Sequence, residues 1–135
     1  MTNQDEKLAA QKLGHALQDL LIVEQDARDF GFAWPNLGMI VKQALSECAE
    51  ITEAIVEHES KERIQEEISD LLHAALSMCV FMDYDLEEVL VKINKKFSKR
   101  MATLKDIAQE HGLSDLKGQP IEAMLKLWDK AKLYD

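Results

Sequence analysis

The chain has 135 residues, of which 47% are apolar and 30% are charged, and it contains only five glycines and two prolines. This length and apolar content exclude a disordered tail and fit a single domain over residues 1–135 with a core of its own. The formal net charge of −9 disfavours a general nucleic-acid binder, because an acidic surface and a phosphate backbone repel each other.

Targeting and membrane signals do not stand out in the sequence. The polar stretch from Met1 to Lys7 does not resemble a signal peptide, and no apolar run approaches the ~18 residues that a membrane span needs. Cys48 and Cys79 lie in helical patterns without metal-site spacing, so we expect reduced thiols. These features predict a cytoplasmic protein without a membrane partner.

Apolar residues at helical spacing, interrupted by glycine, proline and capping residues, predict an all-α chain. The five predicted helices span, in chain order, about residues 6–30, 36–58, 60–83, 85–110 and 121–133. Four long helices with short connections are typical of a bundle. We therefore expect a four-helix-bundle-like core followed by a short C-terminal helix.

Several residues mark where the predicted helices begin. Asn36, Ser60 and Asp85 are expected N-caps, because their side chains can accept a hydrogen bond from the first turn. Glu88, three residues after Asp85, predicts a capping box, and Pro120 suits the first turn of the last helix. On the first helix, apolar spacing predicts a buried stripe formed by Leu8, Leu13, Leu17, Leu20 and Leu21.

Two pairs of acidic residues lie on the second and third predicted helices: Glu47 with Glu50, and Glu67 with Asp70. Residues three apart differ by about 60° around a helix, so each pair projects from one side. Glu47 and Glu67 also lie between apolar positions, which directs them toward a neighbouring helix. If the two helices are antiparallel neighbours, the four carboxylates converge and must take up protons or bind a cation. Hard oxygen ligands at this density suit Mg²⁺ or Mn²⁺.

The same spacing has a simpler explanation, which stays open at this point. Other acidic pairs three apart, such as Asp26 and Asp29, are typical of solvated helix faces. The apolar neighbours of the two central pairs add weight to a metal site without deciding the question. His73, three residues after Asp70, is expected to be a partly buried, hydrogen-bonded histidine rather than an outer partner of such a site.

The acidic motifs and their surroundings resemble the MazG-type nucleoside triphosphate pyrophosphohydrolases of the all-α NTP pyrophosphatase superfamily. Glu-x-x-Glu at 47–50 is followed by Glu-Glu-x-x-Asp-Leu-Leu at 66–72. Phe-Ala-Trp-Pro at 32–35 and Asn-Lys-Lys-Phe-Ser-Lys-Arg at 94–100 are similar to further family motifs, and 121–132 resembles the closing helix. The resemblance covers residues 32–132 and is strongest to the C-terminal catalytic domain of MazG.

The resemblance implies an enzyme that hydrolyses nucleoside triphosphates, as NTP or dNTP, to the monophosphate and pyrophosphate. Such an enzyme could serve house-cleaning of the nucleotide pool. Glu47, Glu50, Glu67 and Asp70 would be both its catalytic residues and its metal ligands, holding Mg²⁺ with Mn²⁺ as the alternative. The resemblance also implies a homodimer or a higher homo-oligomer.

The resemblance assigns substrate contacts to the fourth and fifth helices. Lys96 and Arg100, four residues apart, would hold the phosphates, and Asn94 would bond sugar or phosphate. Trp128 would stack on the base while Lys132 meets a phosphate. The alternatives are a solvated basic face for the two cations on the fourth helix, and a tryptophan that anchors the last helix to the core.

One position departs from the family pattern, because Ser46 stands where the family usually has a second acid. The departure puts the rate, metal preference or substrate choice in doubt rather than the fold. It keeps two alternatives open. One is a relative with a narrow substrate such as dCTP, dUTP or phosphoribosyl-ATP. The other is a catalytically weak helical module that binds a nucleotide or a protein partner.

Overall fold

The computed structural model describes residues 2–135 and contains, within that range, five α-helices and no β-strand. The helices are α1 Asn3–Phe30, α2 Leu37–Val56, α3 Lys61–Phe81, α4 Leu86–Glu110 and α5 Ile121–Lys132. The predicted all-α class is therefore confirmed. None of the helices described combines the length and the apolarity that a membrane crossing requires.

The largest error in the predicted bounds is at the start of α1, which begins at Asn3 rather than near residue 6. Thr2 forms a capping box with Asp5: its side chain accepts from the Asp5 N–H at 3.1 Å, and Asp5 bonds back to the Thr2 N–H at 3.1 Å. Both α2 and α3 end slightly early, because His58 and Asp83 adopt left-handed backbone angles with φ of 54° and 57°.

The other predicted helix starts are largely as expected. Asn36 Oδ1 accepts from the Met39 N–H at 2.9 Å, and Ser60 Oγ accepts from the Arg63 N–H at 3.1 Å. Asp85 also caps its helix, but its side chain accepts from the Glu87 N–H at 2.9 Å. The predicted capping box at this position is therefore wrong, because the cap uses the second residue of the helix instead of the third.

The chain divides into two compact units, which are described separately, and the first ends at Tyr84. In this unit α2 packs against α3. The buried residues of α2 are Ile40, Glu47 and Ala54, seven residues or about two turns apart, so they form one line along the helix. Glu67 and Ala74 are buried on α3 with the same spacing. On each helix, a glutamate thus lies at a buried position of this seven-residue spacing, where an apolar residue is usual.

The predicted buried stripe on α1 is wrong for its first half. Leu8 and Leu13 are 50% and 65% exposed, and Leu17, Leu20 and Leu21 are half-buried. The periodicity marks an apolar face correctly, but within the described residues α1 has no buried side chain. Polar contacts join α1 to α3, since Glu24 bonds to α3 side chains and Arg28 Nη1 donates to the Val80 carbonyl at 3.1 Å.

The second unit, Asp85–Asp135, contains α4 and α5 packed together. Its core consists of Leu104, Ile107, Leu127 and Ala131, surrounded by the half-buried Met101, Leu113, Leu116 and Trp128. The connecting loop turns at Gly112 and Gly118, where φ values of 76° and 78° favour glycine. The expectation of one domain over residues 1–135 stays a prediction.

Candidate metal centre

Four carboxylates of the first unit come together between two packed helices. Glu47 and Glu50 of α2 and Glu67 and Asp70 of α3 each place one oxygen so that all four lie within 4.8 Å of one another. The sequence predicted this convergence on the condition that the two helices are neighbours, from the spacing of the acids and the apolar residues beside them. We call these residues the acidic quartet. Their roles as ligands and catalytic residues stay predictions.

The quartet has a buried half and an exposed half. Glu47 and Glu67 are only 7% and 5% exposed, whereas Glu50 and Asp70 face solvent. When all four acids are ionised, neither Glu47 Oε2 nor Glu67 Oε2 has a hydrogen-bond donor among residues 2–135, although both atoms are fully buried. We call these two atoms the open oxygens. A buried acceptor left without a partner costs about 1–3 kcal/mol, so folding alone does not account for them.

The second oxygen of each buried glutamate is contacted from one turn earlier on its own helix. Gln43 Nε2 donates to Glu47 Oε1 at 2.6 Å, and the Arg63 guanidinium forms an ion pair with Glu67, with Nη2 2.8 Å from Oε1. Arg63 also reaches Glu66 at 2.9 Å and Glu59 at 3.7 Å. Neither donor was identified from the sequence, although the four-residue spacing of helix neighbours could have indicated both.

The neighbouring carboxylates change the protonation of Glu50, the exposed quartet residue on α2. The pKa of Glu50 is raised to about 7, first by hydrogen bonds to Glu47 and Glu67, which need a proton to be shared, and then by the charge of Glu47. This carboxyl therefore stays partly protonated near neutral pH in the protein without metal. Such behaviour is what a quartet of converging acids requires when no cation balances their charge.

A divalent cation fits these residues. The donor set consists only of carboxylate oxygens, which hard ions such as Mg²⁺ and Mn²⁺ prefer. A cation at the quartet would give the open oxygens a positive partner and would replace the proton that Glu50 shares with Glu47 and Glu67. Exposed acidic clusters are common without an ion, so the two buried, unbonded oxygens are the observation that distinguishes this one.

The predicted substrate-binding residues all lie in the second unit. Asn94 and Lys96 are exposed on α4, and Asn94 Oδ1 accepts a hydrogen bond from Ser98 Oγ at 3.4 Å. Lys132 Nζ lies 3.8 Å from Asp129 on the same helix. An ion pair within α5 thus competes with the predicted phosphate contact of Lys132. Substrate binding by these residues stays a prediction.

Trp128 connects α5 to α4. Its ring lies 6.0 Å from that of Phe97 and 5.8 Å from the Arg100 guanidinium, and it packs on the core of the unit. Trp128 thus packs as the anchoring alternative expects, and its stacking on a base stays a prediction. Arg100 also forms an ion pair with Asp135, which the sequence analysis did not identify. This contact is the main cause that lowers the pKa of Asp135, followed by the charges of nearby lysines.

His73 is hydrogen-bonded, as predicted, but its partner lies on α1. Its Nε2 is 2.8 Å from Glu24 Oε2, and Ser77 Oγ donates to Glu24 Oε1 at 2.6 Å. The His73 side chain is half-exposed. Glu24 has no spacing relation to either partner in the sequence, so only the tertiary structure reveals this contact.

Comparison with known proteins places the quartet in a recognised domain. A model of the "MazG nucleotide pyrophosphohydrolase domain" matches residues 38–104, which contain the whole quartet and most of α4. The chain is 28% identical over 110 residues to the nucleoside triphosphate pyrophosphohydrolase/pyrophosphatase MazG of Thermotoga maritima. It is 27% identical over 114 residues to the nucleoside triphosphate pyrophosphohydrolase of Escherichia coli. Each alignment covers 82% of this chain.

These alignments cover 41% and 42% of the two relatives, so the chain spans about two fifths of their length. A third relative, the uncharacterized protein YabN of Bacillus subtilis, is 33% identical over 69 residues, which are 51% of this chain and 14% of that protein. The family match, the four acids on two adjacent helices and the all-α fold agree with one another. The chain therefore belongs to the MazG nucleotide pyrophosphohydrolase family.

Proposed function

We propose that this chain hydrolyses nucleoside triphosphates to nucleoside monophosphate and pyrophosphate with a divalent cation, Mg²⁺ or alternatively Mn²⁺, held by the acidic quartet. The observation that carries the proposal is the pair of open oxygens inside the quartet. The family supplies the reaction class, because two relatives are named nucleoside triphosphate pyrophosphohydrolases. In this reaction water adds to a phosphorus of the α–β linkage, pyrophosphate leaves and a proton is released.

The two halves of the quartet have different tasks in this proposal. Glu47 and Glu67 are buried and held at one oxygen each, so they supply fixed ligand atoms. Glu50 and Asp70 face solvent, where a phosphate chain and the attacking water can approach them. When bound, the cation would neutralise phosphate charge and lower the pKa of a coordinated water.

The second unit supplies candidate phosphate and base contacts. Lys96 is an exposed cation in a chain of net charge −9, so it provides local positive potential for an anionic substrate. Arg100 provides a guanidinium suited to bidentate phosphate binding, and Asn94, Trp128 and Lys132 complete the proposed set. Asp135 forms an ion pair with the Arg100 guanidinium. A phosphate would have to displace Asp135 in order to bind Arg100.

We also propose a biological setting for this activity. Hydrolysis of non-standard or excess dNTPs would clean the nucleotide pool. The two free cysteines fit a reducing cytoplasm. The net charge disfavours nucleic acid as a partner.

Many large apolar side chains of α1 and α2 are exposed, among them Leu13 at 65%, Leu45 at 64% and Val56 at 69%. Apolar area of this kind favours association, and we propose a homodimer.

Two measurements test the function. Thermal unfolding with and without Mg²⁺ separates a metal enzyme from a plain interaction module, since only a protein with a metal site gains stability from the ion. A panel of NTPs and dNTPs, incubated with Mg²⁺ or with chelator, then ranks the bases and would identify a narrow substrate. Absence of both Mg²⁺ stabilisation and turnover would contradict the proposal and favour the interaction module.

A further inference from the structure

The two buried carboxylates of the quartet share one local arrangement. In each, a side chain four residues earlier on the same helix contacts Oε1, and Oε2 is left as an open oxygen. The contact is a hydrogen bond from the neutral amide of Gln43 on α2 and an ion pair with the guanidinium of Arg63 on α3. Two helices thus restrain the buried glutamates from equivalent positions with groups of different charge.

Such bonds matter because the last torsion of a glutamate side chain is soft. Rotation about χ3 has a broad energy profile, so an unrestrained carboxylate can turn its oxygens freely. In the metal-free quartet, repulsion between carboxylates would drive Glu47 and Glu67 apart. A hydrogen bond to Oε1 opposes that rotation and keeps Oε2 directed at its neighbours, within the 4.8 Å over which the quartet converges.

We propose that Gln43 and Arg63 are positioning residues that hold the open oxygens of Glu47 and Glu67 in place for a divalent cation and thereby strengthen its binding. This inference rests on the metal site of the proposed function. It extends that function by assigning two residues outside the acidic motifs to cation affinity. Outer partners of metal ligands typically contribute 10–100-fold to metal affinity.

The charge of Arg63 acts against a cation, but its surroundings reduce that charge. Its side chain is 54% exposed, and Glu59 and Glu66 lie at 3.7 and 2.9 Å from it. Water and these two carboxylates screen the guanidinium, whereas its ion pair with Glu67 Oε1 restrains a side chain that is only 7% exposed. Gln43 restrains Glu47 without any charge. We therefore expect the restraint on Glu67 to outweigh the repulsion between Arg63 and the cation.

The test measures Mn²⁺ alone, by the electron paramagnetic resonance signal of the free ion, on the full chain without nucleotide. Gln43→Ala and Arg63→Ala should each weaken Mn²⁺ binding about 10-fold or more, because one carboxylate loses its restraint. Arg63→Gln should bind within about threefold of the wild type, because it copies the arrangement of Gln43 on the other helix. Alanine favours helices, so these variants should keep the fold, which circular dichroism checks.

Lys61→Ala is the matched control, since it removes a cation from the same turn of α3 and leaves the bond of Arg63 to Glu67 in place. It should leave Mn²⁺ affinity unchanged. Wild-type affinity in both alanine variants would overturn the inference. Tighter binding in Arg63→Ala, or equal losses in Arg63→Gln and Arg63→Ala, would show that the charge of Arg63 determines Mn²⁺ affinity. Either result would overturn the inference for Arg63. Failure of the wild type itself to bind Mn²⁺ would instead overturn the metal site of the proposed function.

Discussion

Glu47 and Glu67 lie on two packed helices, both buried, and each has one carboxylate oxygen that has no hydrogen-bond donor among residues 2–135 when the acids are ionised. Two packed helices gain nothing in stability from two such carboxylates between them. An apolar residue in place of Glu47 would continue the buried line formed by Ile40 and Ala54 on α2. The proposed metal site accounts for the two glutamates, because stability lost at a binding site can be retained for function.

Removing one of these charges should stabilise the protein without metal. Glu47→Gln keeps an oxygen that Gln43 can bond and adds an amide N–H that can donate to the remaining carboxylates. We expect its free energy of unfolding to rise by about 1 kcal/mol in the presence of chelator. Urea denaturation followed by circular dichroism measures this change. A clear loss of stability in chelator would contradict the assignment of a strained, metal-free site.

The exposed members of the quartet should be needed for turnover but not for folding. Glu50→Gln and Asp70→Asn should each lower Mg²⁺-dependent kcat/KM by about 100-fold or more, exceeding the effect typical of an outer partner. Glu53→Gln is the control, because it neutralises an exposed acid on the same helix outside the quartet. Full activity in both quartet variants would contradict the site assignment.

The raised pKa of Glu50 predicts a specific dependence of stability on pH. Its folded-state pKa of about 7 lies above the ordinary value of 4.5, chiefly through hydrogen bonds to Glu47 and Glu67. Between these pH values the folded state binds the extra proton, so the contribution of Glu50 to stability is fully present below about pH 4.5 and is lost as pH rises to about 7. A cation competes with that proton, so stabilisation by Mg²⁺ should grow over the same interval.

Melting temperatures measured between pH 5 and 8, with Mg²⁺ and with chelator, check this expectation. In chelator, Glu50→Gln should remove the change of melting temperature with pH that the titration of Glu50 produces. Stabilisation by Mg²⁺ that is equal at the two ends of the range would contradict competition between the proton and the cation.

Lys96 should act on substrate binding. Lys96→Ala removes an exposed cation from the acidic chain and should raise KM for a triphosphate roughly 10-fold with little change in kcat, the equivalent of about 1.4 kcal/mol. Lys105→Ala, an exposed lysine later on α4, is the matched control. Steady-state kinetics separate the two parameters. An effect confined to the melting temperature would favour a solvated basic face.

Asp135 should compete with substrate for Arg100. Its carboxylate pairs with the guanidinium, which lowers the pKa of Asp135 and keeps it charged at neutral pH. Asp135→Asn should therefore lower KM about threefold, because a charge-assisted bond no longer has to be displaced. Asp129→Asn, which releases Lys132 on α5, gives the comparison for a second ion pair. A higher KM in Asp135→Asn would contradict competition at Arg100.

The sequence was sufficient for the helices and for the burial of the two central glutamates. Periodicity and capping residues predicted five helices close to their observed bounds, and the position of Glu47 and Glu67 among apolar residues predicted their burial. The predicted burial of Leu8 and Leu13 is wrong. An apolar face indicates that a helix packs against a partner, but it does not show whether another part of the chain is that partner. Contacts between distant residues, such as Glu24 with His73, have no sequence signal of this kind.

Side chains four residues apart on a helix can contact each other, and such contacts involve residues outside the acidic motifs. Gln43 and Arg63 each precede a buried glutamate by one turn, so helix geometry alone brings them into reach. The sequence could not rank these pairs above the other polar pairs of the same spacing. Burial of the acceptor decides which of them matters, because a hydrogen bond in a site with little water is strong.

The most direct test of the central claim is product analysis with the wild type and Glu67→Gln side by side. Each is incubated with a nucleoside triphosphate and Mg²⁺, then with chelator, and products are separated by chromatography. We predict nucleoside monophosphate and pyrophosphate from the wild type with Mg²⁺, and neither with chelator or from the variant. Nucleoside diphosphate and phosphate, or equal turnover by both proteins, would contradict a pyrophosphohydrolase that works through the acidic quartet.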